Sequence, residues 1–258
     1  MGADDLEKFL TAPALLRAIQ QDAIERYPQE SCGAVTPDGY VALPNKALKP
    51  ELAFDCAADC AEMQMKGDLI AVVHSHVHDN PGPSAFDMRS QMSMEVPWGI
   101  VLTDGKRVGQ VYFWGDTLPV APLIGRDFRH GPSGTDHKGD CYALIRDYYR
   151  VERGVMLPEG PRDDNWWLQA DHAENNLYLD NFERAGFRKI EPTEPRVGDL
   201  ILCAVRSPVP NHGAVYVGGG LMIHHVSGRL SQKVPVAPWQ KFIRLWLRHQ
   251  TEVGDGRR

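Results

Sequence analysis

The sequence predicts an α+β protein built in two halves, and three observations carry that reading. Helix-periodic stretches are mixed with short strand-like runs along 258 residues, a length above one average domain. In the second half the helical stretches come first and the strands cluster afterwards. Between the halves lies LPVAPLIGRDFRHGPSGTDHK, residues 118–138, dense in Pro and Gly and weak in periodicity. The boundary is placed near residues 116–124, giving a first domain over 1–117 and a second over 122–250, each close to the commonest domain size.

The elements follow in order. LEKFLTAPALLRAIQQDAIERY carries Leu15, Leu16, Ile19, Ala23 and Ile24 at helical spacing, and Pro28 ends it. Strands are predicted at 32–35 and 40–43, a helix at 55–66, and a strong strand at 69–74. A short helix at 85–94 then precedes strands at 98–103 and 108–114. In the second half CYALIRDYYRVERG is helical, with Leu144, Ile145, Tyr148 and Tyr149 as its stripe. HAENNLYLDNFERAG is a second helix, with Gly186 as its C-cap. Strands follow at 199–204, 212–217, 221–225 and 242–247, and the glycines at 218–220 suit a hairpin turn.

Composition bounds function. Hydrophobic content of 43% and charged content of 24% are those of an ordinary globular chain. A net charge of -6 gives no reason to expect nucleic acid or an anionic membrane as partner. No apolar run reaches the roughly 18 residues of a membrane span, and MGADDLEKFL has no basic segment leading an apolar one, so no signal peptide is expected. The five cysteines, Cys32, Cys56, Cys60, Cys141 and Cys203, include no CxxC pair. An odd count without such pairs argues against a disulfide framework and for a reducing compartment.

HSHVHDNPGPSAFD, from His74 to Asp87, is the first chemical motif. If the strand runs through His74 and His76, both imidazoles point to one face. Two neutral imidazoles with a carboxylate are a catalytic Zn²⁺ ligand set that leaves one position open. Asp87 is the natural third ligand, because Ser84 can cap the following helix and Asp87 falls one turn later on the same side. An attacking water needs a base, and Glu30 in YPQESCG serves if the fold brings it back. His78 reads as a solvated loop residue.

The spacing HxHx₇SxxD, with a remote Glu in an ExCG context, resembles the JAMM (JAB) metallopeptidase motif. The match runs from about Asp4 to Trp114. It implies Zn²⁺ on His74, His76 and Asp87, Glu30 as the base, and Ser84 as a hydrogen-bond donor to an oxyanion. Many members carry Pro after the second His where this chain has Val77, a change expected to alter the loop rather than the ligation.

GDCYALIRDYY is the second motif. Cys141 opens a helix, where free N–H groups and the macrodipole favour a thiolate, so a depressed pKa is expected. His212, beginning HGAVYVG, and His224, ending LMIH, lie on strands joined through the glycines, and such a pair supplies one base and one orienting group. For Cys32, Cys56, Cys60 and Cys203 core packing is the expectation. Trp166 and Trp167 suit a substrate groove or a buried contact equally.

GDCYAL, VGDLILC, HGAVYVGGG and MIHH together resemble the NlpC-type cysteine peptidases, a papain-like family that hydrolyses peptidoglycan stem peptides. The resemblance covers about Leu123 to Leu247. It implies Cys141 as nucleophile, His212 as base and His224 as the polar third member. His225 points to the opposite face of a regular strand and is a bystander. The chain has DCYA where many members have DCSG. The upstream tyrosine credited with oxyanion help is matched by Phe128, which has no hydroxyl, so the Cys141 backbone N–H is the expected donor.

A JAMM domain followed directly by an NlpC-type domain resembles a family of tail-tip proteins of lambda-type siphophages. This implies phage tail tip proteins as partners and peptidoglycan peptide as substrate. It also implies synthesis in the bacterial host cytoplasm and action at the virion tail tip. A tail assembly factor that uses both folds mainly for binding is the alternative.

Overall fold

A computed structural model describes residues 1–78, 81–169 and 176–253. The chain divides into two compact units, Met1–Ala121 with Gly134–Asp136, and Pro122–Ser133 with His137–Arg258.

The first unit opens with α1 (Ala3–Leu10) and α2 (Pro13–Arg26), where the periodicity predicts one helix. Pro13 causes the break: it has no N–H to continue the ladder, and its fixed φ suits the first helical position. Strands β1 (Cys32–Thr36), β2 (Gly39–Leu43), β3 (Ala71–His76), β4 (Trp98–Leu102) and β5 (Tyr112–Trp114) make a sheet in the order β2-β1-β3-β4-β5. β3 and β4 run parallel and the other neighbours antiparallel. Residues 134–136 return to this unit, Gly134 bridging Trp114 while Thr135 exchanges hydrogen bonds with Phe113.

Alternation along β3 sorts its side chains. Val73 joins Leu10, Ile19 and Phe113 in the core under α1 and α2. Val72 joins Trp98, Ile100 and Trp114 on the other face, with Cys60 of α3 (Ala57–Lys66). His74 and His76 share the parity of Val72. After them comes α4 (Ala85–Met94).

In the second unit α5 (Cys141–Arg153) precedes α6 (Leu177–Asn181). An antiparallel sheet follows, of β6 (Phe187–Ile190), β7 (Leu200–Cys203), β8 (His212–Gly218), β9 (Leu221–His224), β10 (Gln232–Pro235) and β11 (Ile243–His249). Its order is β10-β9-β8-β7-β11-β6. Ile145, Tyr148 and Tyr149 of α5 pack on Leu202, Val215 and Leu247. The opposite face buries Ile201, Ala214 and Met222 with Trp239, Phe242 and Trp246 beside them. Gly218, Gly219 and Gly220 all take positive φ (86°, 60° and 73°), a run that only glycine tolerates, and so turn β8 into β9.

Besides the first helix, three expectations change. β5 covers only Tyr112–Trp114 of the strand expected at 108–114. α6 is five residues long and ends at Asn181, so Gly186 (φ 86°) closes a turn before β6 instead of capping a long helix. The start of that predicted helix, residues 172–175, lies outside the described residues. β6 and β10 are additional strands, and they form the two edges of the sheet.

Candidate functional site

The first constellation grows from β3. It extends through His76, two residues beyond the predicted strand, so His74 and His76 lie on one face. Their Nε2 atoms are 3.1 Å apart. Asp87 comes from the first turn of α4, whose capping box fixes it: Ser84 Oγ accepts from the Asp87 N–H at 3.1 Å, and the Ser84 N–H donates to Asp87 Oδ2 at 2.7 Å. Asp87 Oδ1 stands 3.4 Å from His74 Nε2, and Oδ2 stands 3.5 Å from His76 Nε2.

Among the described residues these three form the group of His, Cys, Asp and Glu side chains close enough to share a metal. Ligand atoms around a tetrahedral zinc, at bonds of about 2.0–2.1 Å, lie about 3.3–3.4 Å apart. The observed edges of 3.1–3.5 Å fit that figure, and two imidazoles with a carboxylate fit its chemistry. Burial pushes the Asp87 carboxyl upward, but His74, His76 and Ser84 outweigh it and hold Asp87 well below the usual carboxylate range. Burial keeps His74 neutral. Both conditions suit ligation. Phe54 stacks on the His74 ring with centroids 4.0 Å apart and fixes its plane.

Glu30 does come back to this site. Antiparallel pairing sets Cys32 opposite His74, and the Ser31 N–H donates to Ser75 Oγ at 2.7 Å. Glu30 is 7% exposed. Burial, offset in part by His76 and reinforced by Asp87, pushes its carboxyl up to about 7. The Ser84 hydroxyl donates to Asp87 Oδ2 at 2.7 Å, so it holds this carboxylate in place. His78 is exposed, sits 3.0 Å from the Glu51 carbonyl oxygen, and stands outside the ligand group.

The second constellation is centred on Cys141, the first residue of α5. Asp140 caps this helix, accepting from the Ala143 N–H at 2.9 Å. Arg162 holds Asp140 in a two-pronged pair, Nε to Oδ2 at 2.7 Å and Nη2 to Oδ1 at 2.9 Å. Cys141 is partly exposed, while Cys32, Cys56, Cys60 and Cys203 are buried. The peptide of Gly213, the residue after His212 in β8, lies beside the Cys141 sulfur.

His212 and His224 lie on adjacent strands and share a face, with Ala214 opposite His224. His212 Nε2 and His224 Nδ1 meet at 3.2 Å. Trp239 lies against both rings, 5.4 Å from His212 and 4.6 Å from His224 between centroids. His225 falls just beyond β9, buried and edge-on to Phe128 at 5.2 Å, apart from the pair.

The electrostatics overturn one expectation. Burial first, and then the Asp140 carboxylate, push the Cys141 thiol up; the Tyr178 hydroxyl, the Gly213 peptide and the charge of Arg162 only partly compensate. Burial beside His224 and His225 holds His212 down to about 3. His224 is held to about 4, by burial and then by His225 and Arg229. At neutral pH the resting pair is thus a neutral thiol and a neutral imidazole rather than an ion pair. The helix dipole is real, but its capping residue carries a full negative charge next to the sulfur.

Sequence reasoning missed two neighbours of this site. Tyr178 of α6 brings its hydroxyl to 3.4 Å from Cys141 Sγ. Trp239 holds the histidines. No spacing rule announces either, since both reach the site through the fold and not along an element that carries a catalytic residue. Trp166 packs on Tyr178 at 6.4 Å and edge-on to Trp167 at 6.0 Å, both partly exposed.

Comparison with known proteins assigns each half to a family. The NlpC/P60 family matches residues 109–248, and prokaryotic homologs of the JAB domain match residues 12–114. These define a protein class with a JAB-like domain ahead of an NlpC/P60 domain. Tail tip assembly protein K of Escherichia phage lambda is 34% identical over 193 residues, 74% of this chain and 87% of that protein. Its counterpart in Escherichia phage N15 is 30% identical over 244 residues, 92% of this chain and 95% of that protein. The chain therefore belongs to the family of tail tip assembly protein K. Among solved structures, an NLP/P60-family lipoprotein-like protein of Staphylococcus aureus is 19% identical, covering 49% of this chain and 37% of its own, with a TM-score of 0.37. No helix among the described residues is long and apolar enough to cross a membrane.

Proposed function

We propose that the chain is a two-site peptidase of the phage tail tip, with a cysteine endopeptidase that cuts peptidoglycan stem peptides next to D-Glu and a zinc-dependent (iso)peptidase. It would be made in the host cytoplasm, pair with other tail tip proteins, and act where the tail meets the cell wall. One observation carries the reading. A partly exposed cysteine at a helix start lies beside the Gly213 peptide, and the next residue back on that strand begins a hydrogen-bonded histidine pair.

In this mechanism His224 occupies His212 Nε2 and leaves Nδ1 for the thiol. Cys141 gives its proton to His212 as Sγ attacks the substrate carbonyl carbon. The C–S bond forms, and the carbonyl electron pair moves to oxygen, where the Cys141 backbone N–H donates. On collapse the C–N bond breaks and His212 passes its proton to the leaving amine. Water then hydrolyses the thioester by the same base. The neutral resting pair needs no charge separation until substrate has displaced water.

At the other site His74, His76 and Asp87 would hold Zn²⁺, which supplies Lewis acidity toward a carbonyl and an activated water. Glu30, buried beside these ligands, is suited to taking a proton from the attacking water and returning it to the leaving nitrogen. Ser84 keeps Asp87 oriented.

The test is digestion of purified peptidoglycan and of tail proteins, with products read by mass spectrometry. Cys141→Ala should abolish stem-peptide cleavage, and His74→Ala should abolish only the zinc-dependent reaction. An assembly role through binding alone is the second reading, favoured by the upward shift of the Cys141 thiol. It would be adopted if wild-type protein released no peptide while both variants still supported tail assembly.

A further inference from the structure

One side chain beside the nucleophile that the proposed mechanism leaves unused is Tyr178. Its hydroxyl oxygen lies 3.4 Å from Cys141 Sγ, within hydrogen-bond range for sulfur. The phenol is held there by packing. Tyr142 meets its ring edge-on at 6.2 Å, Trp166 meets it at 6.4 Å, and its helix is capped by the buried Asn176, which accepts from the Leu179 N–H at 3.2 Å.

We propose that Tyr178 is a further catalytic residue of the cysteine site, its hydroxyl donating a hydrogen bond to the Cys141 sulfur and holding it as the thiolate during attack. The inference rests on the reading of Cys141 as nucleophile. The proton leaving the sulfur goes to His212, and Tyr178 keeps its own.

The surroundings decide the direction of that bond. Cys141 is faced by Asp140 on its own helix cap, by Arg162 from the following loop, by Tyr178 from α6, by the Gly213 peptide of β8, and by Cys203 of β7. Asp140 is the anion of this set and is spent on Arg162 and on backbone N–H groups. With that carboxylate engaged, the Tyr178 hydroxyl is the side-chain donor in reach of a forming thiolate. Burial and the sulfur's own charge push the phenol well above its ordinary value, so it stays protonated and able to donate across the pH range of the chemistry.

The test needs no substrate. Iodoacetamide modification of each cysteine in the full chain is followed against pH by mass spectrometry. In the wild type Cys141 should react first of the five. Tyr178→Phe keeps the ring against Trp166 and Tyr142 and removes only the donor. It should raise the midpoint of the Cys141 profile by about one pH unit, a tenfold change in thiolate fraction at lower pH. A site-specific fluorotyrosine at 178, a stronger donor of the same shape, should lower the midpoint. An unchanged or lowered midpoint in Tyr178→Phe, with the fluorotyrosine also without effect, would overturn the proposal and leave Cys141 as nucleophile. If Cys141 never reacts ahead of Cys203, the nucleophile reading fails and Tyr178 falls with it.

Discussion

His212 and His224 meet ring nitrogen to ring nitrogen at 3.2 Å inside the second unit, and Trp239 covers both. Two imidazoles so placed cannot both carry a proton on the nitrogens they share. Burial first, then His224 and His225 for His212 and His225 and Arg229 for His224, holds them near 3 and 4 against an ordinary value of about 6.5.

That relationship predicts an acid limit for the fold. In the unfolded chain both histidines take up protons as pH falls below about 6.5, while the folded unit refuses them until about 3 to 4. The unfolded state thus binds more protons across this window. Stability is fully present above about pH 6.5 and should fall by a few kcal/mol on acidification toward pH 4. Urea unfolding at a series of pH values, read by tryptophan fluorescence, measures it. His212→Gln should flatten the dependence, and an unflattened slope would mean that other groups set it.

The metal site gives a composition test. Protein purified without chelator should hold about one zinc per chain, with a thermal midpoint that drops when the metal is stripped. Asp87→Ala should lose both the metal and the shift. Glu30→Gln should keep the metal and lose zinc-dependent hydrolysis. Elemental analysis by mass spectrometry decides it; full zinc occupancy in Asp87→Ala would remove Asp87 from the ligand set.

Asp140 should matter for stability more than its place beside a nucleophile suggests. It caps α5, accepts from the Gly131 N–H at 3.0 Å, and neutralises the buried Arg162. Asp140→Ala removes one of the two carboxylates paired with that guanidinium, leaving Glu159 at 2.8 Å, and should cost about 3–5 kcal/mol. Asp140→Asn retains an oxygen for the cap and should cost less. Denaturant midpoints of the two variants rank them.

Limited proteolysis should open the chain between Gly115 and Gly125. Pro122, Ile124 and Gly125 are exposed there, and from Gly125 onward Ser231 anchors the backbone through the Gly125 and Arg126 N–H groups. Two stable pieces are expected on a denaturing gel; resistance throughout this stretch would count against separate folding of the halves.

Much of this was legible in the sequence, and the misses share a cause. His74, His76, Asp87 and Ser84 were readable because a strand end, a loop and a helix start put them at fixed short spacing. Cys141, His212 and His224 were readable because each opens or closes an element. β6 and β10 were missed because FRKI and QKVP bury little, as befits strands that flank a sheet and need no apolar face on both sides. The break at Pro13 was hidden by apolar spacing that runs on across it, since periodicity reports burial and not hydrogen bonding. Tyr178 was invisible for a different reason: its partner is 37 residues away, and nothing in LYLDNF says what it will face. The expected low thiol pKa failed because the helix dipole was weighed without the charge of its own cap.

The three-residue return of Gly134–Asp136 has a consequence for anyone recombining such modules. β5 is the last strand of its sheet, and this segment is what occupies its outer side. A fragment ending at the Pro-rich stretch would carry every metal-site residue and yet leave Phe113 with unclaimed N–H and C=O groups along a bare margin. Bare margins of that kind recruit strands from neighbouring copies. A splice point after residue 136 should yield a dispersed product, and one at residue 121 a sticky one, even though the two differ by nothing catalytic.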